Sequence, residues 1–255
     1  MSVARLCRVP GPAAMSASPY RKYKNLGASP LWNSPNMSSH KNILLLIADD
    51  LGKYVGCYGC LSITTPSIDQ LASQGIRFDK AFASTASCSG SRSTIYTGLH
   101  THENGQYGLN IFRTHFQTFP NIDSAPKLFN QAGYFTGIIG KIHVGPDEVY
   151  PWTHQRESES RDVAWVADQG EEFFKKAKEE DKPFFLTVGY VDPHRDVQTR
   201  GGFGNDEEFD ERVKALEIKE EDVEVPGWLT DLPETRKELV QYYKAINRTD
   251  QGVGE

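Results

Sequence analysis

Three apolar runs in this sequence each stop at side chains that can do chemistry. "NILLLIADD" ends in Asp49 and Asp50, "YFTGIIG" is followed by Lys141 and His143, and "PFFLTVGY" is followed by Asp192 and His194 in "DPH". Adjacent carboxylates are hard oxygen ligands that suit Ca2+ or Mg2+. Lys, Arg and His beside such a cation make a pocket for a tetrahedral anion and stabilise charge that develops during its transfer. A fourth stretch, "ASCSGSRSTIYTG" over residues 86–98, sets Cys88 among small hydroxyl residues with Arg92 four positions on. A Cys just before a helix N-terminus lies where backbone N–H groups favour anions, which is expected to depress the thiol pKa. Taken singly, each group has a plain structural reading as a solvated loop, a surface lysine or a turn. Together, at equivalent ends of successive elements, they point to one crevice.

The elements that must hold them follow from periodicity. The runs over 43–47, 134–140 and 183–190 are short, continuous and apolar, as in strands buried on both faces of a parallel sheet. "TTPSIDQLASQG" predicts a helix with Thr65 as N-cap, Pro66 at its first position and Gly75 as its stop. "IRFDKAFAS" alternates enough to predict a strand, and Ser91 to Leu99 a short helix. "SAPKLFNQAG" and "RDVAWVADQGEEFFKKAKEED" predict two more helices, the second with Val163, Val166, Phe173, Phe174 and Ala177 as its apolar residues. Residues 195–230 turn polar and acidic, and "RGGFGNDEEFDE" reads as a surface insertion. A last helix begins in "PETRKELVQYYKAINRTDQGVGE". Strands alternating with helices give an α/β class with a largely parallel sheet flanked by helices, whose sites form at the carboxyl ends of the strands.

The 255 residues are 38% hydrophobic and 24% charged, and no apolar run approaches the length of a membrane span. The formal charge is −6, and six of the Lys and Arg precede the first acidic residue, Asp49. The body is therefore acidic, which argues against a nucleic-acid partner and against long polyanionic substrates. Residues 1–40 are acid-free and rich in Ser, Pro, Ala and Gly, and lack the apolar core of a secretory signal. They are expected to be a disordered or targeting tail, with residues 41–255 as the catalytic domain. As written the chain reads as cytoplasmic, with organelle transit as the alternative. Oligomeric state leaves no signature. Four cysteines make no disulfide framework, and Cys57 and Cys60 in "GCYGC" are expected to be partly buried thiols in a turn. His100 and His102 lack a third ligand at metal spacing, the acidic stretch 206–224 reads as a solvated loop, and the sequons at Asn36 and Asn247 are weak signals.

The sequence resembles the sulfatase family, of the alkaline-phosphatase-like superfamily. "CSGSRSTIYTG" is similar to the sulfatase signature Cys-x-Pro-x-Arg with its helix and Thr-Gly, and "NILLLIADDLG", "GKIHVG" and "DPH" resemble the matching segments in order. "HENGQYGL", "GIIGKIHVGPDEVYPW", "DPHR" and "RTDQGVG" are most similar to the branch acting on N-sulfated glucosamine. The resemblance implies a sulfuric ester or sulfamate hydrolase in which a formylglycine-generating enzyme oxidises Cys88 to formylglycine. It implies Asp49, Asp50 and residue 88 as ligands of one Ca2+, Arg92 beside the formylglycine, and Lys141, His143 and His194 in sulfate binding and proton transfer. Asp192 fits the motif without a family role. The substrate it implies is a sulfated small molecule or a glycan end. The signature's Pro is Gly90 here, which alters the conformational preference offered to the modifying enzyme. The Ser-Asp-Asn-Gly segment carrying the remaining two calcium ligands is expected beyond Glu255, so that the domain is incomplete. Two other readings fit the same residues: a sulfatase-like chain without catalysis, and a metal-dependent phosphatase or phosphodiesterase of the same superfamily.

Overall fold

The computed structural model describes residues 41–196 and 202–255; the expected tail over 1–40, with the sequon at Asn36, lies outside them. Four parallel strands form one sheet in the order β1-β4-β2-β3: β1 (Ile43–Ile47), β2 (Phe135–Gly140), β3 (His154–Glu157) and β4 (Phe184–Gly189). Six α-helices accompany them among the described residues: α1 (Pro66–Gln74), α2 (Cys88–Thr97), α3 (Thr101–Asn104), α4 (Ala125–Gln131), α5 (Val163–Glu179) and α6 (Pro233–Gly254). No helix among these residues is long and apolar enough to cross a membrane.

Strand side chains alternate between faces, and the two faces of this sheet carry different cores. Ile139 of β2 and Leu186 and Val188 of β4 pack with Val163, Val166, Phe173 and Ala177 of α5. Ile138 of β2 and Phe185 of β4 point the other way, to Tyr96 of α2 and to Val149, Tyr150 and Trp152. That double burial is why β2 and β4 read as continuous apolar runs. Asp162 caps α5 by accepting from the N–H groups of Ala164 and Trp165, at 3.1 and 3.3 Å. A third core joins α6, through Leu239, Val240, Tyr243 and Ile246, to Val55, Ile63 and Val223.

Four sequence expectations change. β1 is a half-buried edge strand among the described residues, with Leu44 48% exposed, because only β4 pairs with it. Residues 76–84 form no strand: Ile76, Phe78 and Phe82 are exposed, and Arg77 donates to the Cys57 carbonyl while Lys53 Nζ donates to the Asp79 carbonyl at 2.6 Å. Alternation alone names no partner strand, and side-chain bonds tie this segment instead. The supposed surface insertion is partly internal, with Phe203 4% exposed. The helix after Cys88 starts at Cys88 itself, with Ser87 in the cap position.

Thr65 stands at the N-cap of α1 without capping it. Its hydroxyl accepts from Gly56 N at 2.8 Å and lies 3.1 Å from Asp69 Oδ1, while the α1 N–H groups of Ser67 and Ile68 donate to Asp250 of α6, at 3.3 and 2.8 Å. Burial raises the Asp250 pKa, against those two N–H bonds. The folded carboxyl thus holds a proton more readily than the unfolded one, so this group's contribution falls as pH rises from the ordinary carboxyl range through the folded pKa. Asp250→Ala should cost about 0.5–2 kcal/mol at neutral pH. Asp250→Asn, which keeps an acceptor without the buried charge, should cost less and should flatten that part of the pH dependence. Urea midpoints between pH 4 and 7 read both effects; an Asn variant as unstable as Ala would refute the cap.

Candidate active site

The parallel register sets Ile47, Gly189 and Gly140, the last residues of β1, β4 and β2, in one row. Backbone bonds carry the alignment past the strand ends: Tyr190 N to the Ile47 carbonyl at 2.8 Å, Lys141 N to the Gly189 carbonyl at 2.8 Å, and Asp49 N to the Asp192 carbonyl at 3.1 Å. Gly140 has φ 81, and a Cβ there would lie 2.3 Å from the Gly189 carbonyl oxygen. The close approach of the two strand ends therefore requires glycine. Arg92 reaches the same edge from α2, with Nη1 donating to the Lys141 carbonyl at 3.1 Å.

Charge gathers there out of water. Asp49 is 6% exposed, Lys141 4% and Arg92 1%. Lys141 Nζ lies 2.5 Å from Asp49 Oδ2 and Arg92 Nη2 lies 3.8 Å from Asp49 Oδ1. Despite that ammonium, Asp49 Oδ2 accepts no hydrogen bond of proper geometry, and Arg92 Nε and Nη2 are likewise unpartnered. Lys141 Nζ is 4.0 Å from Cys88 Sγ. Ligand atoms of Asp49, Cys88 and His194 all lie within 4.8 Å of one another. Asp50 stands at the rim, exposed, with φ 63; its Oδ2 is 3.9 Å from His194 Nε2, and its carbonyl accepts from the Tyr242 hydroxyl at 2.9 Å.

Asp49, Asp50, Cys88, Arg92, Lys141 and His194 thus lie together at this edge. His143 follows Lys141 at φ 53, and its Nε2 pairs with Glu159 Oε1 at 3.3 Å while Nδ1 is buried without a partner. Burial, then the Lys141 charge, lowers its pKa. Two expectations are corrected. The Cys88 pKa is raised: burial comes first and the Asp49 charge second, and together they outweigh Lys141 and Arg92. Asp192 does not face the crevice; it is 1% exposed and bound to Arg161 and Arg248. Glu159, Arg161 and Tyr242 carried no sequence signal, since each acts through a partner distant in the chain.

The residues set aside stay outside the site. Cys57 and Cys60 are free, partly buried thiols at a tight turn. His100 and His102 are exposed, with their rings stacked 5.7 Å apart. Asn247 is 9% exposed and donates to the Thr64 carbonyl at 3.1 Å.

The donors at this edge fit a divalent cation: a buried carboxylate oxygen lacking a hydrogen bond, a neighbouring second carboxylate, and two more ligand atoms within reach. Fold and site together define a member of the alkaline-phosphatase-like α/β class. The chain belongs to the sulfatase family, whose sequence profile matches residues 41–255. It is 39% identical to human N-sulphoglucosamine sulphohydrolase over 231 residues, covering 84% of this chain and 46% of that protein. Human iduronate 2-sulfatase is 32% identical over 195 residues, covering 60% of this chain and 35% of its own length. The chain therefore spans less than half the length of these curated relatives. A protein solved with its substrate D-glucosamine-2-N,6-O-disulfate superposes with a TM-score of 0.53 at 27% identity, over 64% of this chain and 36% of that one. The phosphonate monoester hydrolase of Agrobacterium radiobacter shares the fold, with a TM-score of 0.55 at 19% identity over 84% of this chain and 58% of its own.

Proposed function

We propose that this chain carries the sulfate-binding and nucleophile-bearing part of a sulfatase that hydrolyses a sulfate ester or sulfamate, with N-sulfated glucosamine as its substrate. The observation that carries the proposal is the meeting of Asp49, Cys88, Arg92, Lys141 and His194 at the carboxyl edge of the sheet, in a chain 39% identical to an N-sulphoglucosamine sulphohydrolase. Asp49 and Asp50, with residue 88, would hold one Ca2+. Formylglycine at position 88 would supply an oxygen nucleophile towards sulfur, and the cation would neutralise sulfate charge. An unmodified Cys88 suits that role poorly, because burial and Asp49 keep its thiol protonated.

The chain's own residues do the rest. Lys141 and Arg92 bind sulfate oxygens; the unpartnered Arg92 Nε and Nη2 are free for an anion that replaces part of the Asp49 contact. His194, 31% exposed at its side chain beside Asp50, gives a proton to the departing amine or alcohol. His143, kept neutral by burial and Lys141 and oriented by Glu159, accepts one. The acidic body favours a small molecule or a glycan end over a polysulfated chain interior.

The test is competition between chemistries. The whole protein that carries this chain, coexpressed with a formylglycine-generating enzyme, should release sulfate from glucosamine N-sulfate and nitrophenyl sulfate much faster than phosphate from nitrophenyl phosphate. Faster phosphate release would replace this reading with the phosphatase one. Gly90 bears on conversion: a Cβ there would meet Thr85 Cγ2 at 2.8 Å and Thr101 Cγ2 at 3.3 Å, so this turn of α2 is packed around the absence of a side chain.

A further inference from the structure

Asp192 stands two residues before His194; its carbonyl accepts from Asp49 N at 3.1 Å, while its carboxylate is the centre of a second buried charge cluster. Its Oδ1 accepts from Arg161 Nη1 and its Oδ2 from Arg248 Nε at 2.6 Å. Both arginines are buried, 4% and 5% exposed. The second arm of Arg161, Nη2, donates to the backbone carbonyl of His194 at 2.9 Å. The other nitrogens of Arg248 are used as well, Nη1 on Asn205 Oδ1 at 2.9 Å and Nη2 on the Phe203 carbonyl at 2.7 Å, with the guanidinium 4.7 Å from the Phe209 ring centre.

One carboxylate between two guanidiniums is a poor way to gain stability, since an apolar cluster of the same volume does as well or better. What it gives is geometry. A guanidinium presents fixed, coplanar donors, so one that grips both a side chain and a carbonyl two residues on fixes the turn between them. Arg161 comes from the segment just before the α5 cap, Arg248 from α6, and Phe203 and Asn205 from the segment that reads in sequence as a loose insertion. Gly204 in that segment has φ 63, and a Cβ there would lie 2.6 Å from Arg161 Cδ and 2.7 Å from Glu207 Oε1. The segment thus presses on Arg161 at a point where no side chain fits.

We propose that Asp192, Arg161 and Arg248 are positioning residues for His194, and that residues 202–209 are the outer wall of the same device. The inference rests on the reading of His194 as a site residue. The arginines touch no substrate; they hold the His194 backbone beside Asp49 and Cys88, adding a side-chain grip to the backbone bonds from Asp49 N to the Asp192 carbonyl and from His194 N to the Val191 carbonyl. A disturbance at Gly204, in a separate segment of the chain, is then felt at His194 through Arg161.

The test reads His194 directly in the labelled full chain, at fixed pH. Its imidazole Cε1–Hε1 cross-peak is assigned by its loss in His194→Gln. Arg161→Lys keeps a charge opposite Asp192 but has no second arm for the His194 carbonyl, and Arg248→Lys cuts the link to residues 203–205. Both, together with Gly204→Ala, should shift or broaden the His194 cross-peak while the exposed His102 and His115 stay in place. A purely structural role would lower the melting temperature in each variant and leave that cross-peak where it was. Folded variants whose His194 signal superposes on the wild type overturn the proposal; if one variant does not fold, the other two decide. A moved cross-peak in a chain that neither binds Ca2+ nor releases sulfate keeps this inference and discards the site reading.

Discussion

Cys88→Ala is expected to reduce sulfate release by about 10³-fold or more, the scale on which loss of a catalytic nucleophile is felt. Cys88→Ser should do the same, because a hydroxyl at this position meets the same burial and the same Asp49 charge that already keep the thiol protonated. Neither variant should cost much stability. Cys88 is half-buried, and its polar contact is a 4.0 Å approach from Lys141. The measurement is sulfate release from glucosamine N-sulfate beside a thermal melt, with peptide mass spectrometry of the wild type to show the aldehyde at residue 88. A Ser variant with wild-type turnover would sink the need for conversion, and an Ala variant with wild-type turnover would sink the nucleophile assignment. Loss of turnover together with loss of the melting transition would show that Cys88 serves packing instead.

Asp49→Asn should separate from Asp50→Asn in a way that burial dictates. Asp49 is the one carboxylate facing both Lys141 and Arg92, at 2.5 and 3.8 Å. Removing its charge leaves two buried cations without an ion-pair partner among the described residues, which should cost roughly 3–5 kcal/mol. It should also weaken Ca2+ binding by more than the ~10–100-fold typical of losing an outer-shell partner. Asp50 has a side chain 57% exposed, so Asp50→Asn should leave the melting temperature nearly unchanged while weakening Ca2+ binding. Saturating Ca2+ should raise the melting temperature of the wild type, since a ligand that binds only the folded state stabilises it, and should do so less for either variant. Calorimetric titration and thermal melts with and without Ca2+ read all of this. Equal Ca2+ affinity in wild type and both variants would remove the aspartates from the metal site.

The same pair shows where sequence reasoning stops. "ADD" at the end of an apolar run announces two carboxylates at a strand end, and the sequence does not rank them. The ranking comes from Lys141 and Arg92, which arrive from β2 and α2 to bury one carboxylate and leave the other at the rim. Fold similarity has its own limit, as a phosphonate monoester hydrolase shares the architecture; which anion is cleaved depends on the groups at the site.

The sequence by itself determined β1, β2, β4 and α5, and with them the edge at which the candidate residues stand. Continuous apolar runs and a 3.6-residue stripe are local signals, and in a parallel sheet every strand ends at the same edge, so the residues just after the runs stand along that edge. Only the tertiary structure decided that Asp250 rather than Thr65 caps α1, that residues 76–84 are no strand, that Asp192 turns from the crevice to Arg161 and Arg248, and that Phe203 is buried. Each of these depends on a partner tens to nearly two hundred residues away. A carboxylate's partner, or the burial of a phenylalanine in a polar loop, follows from which elements pack together, and no local pattern in the chain records that.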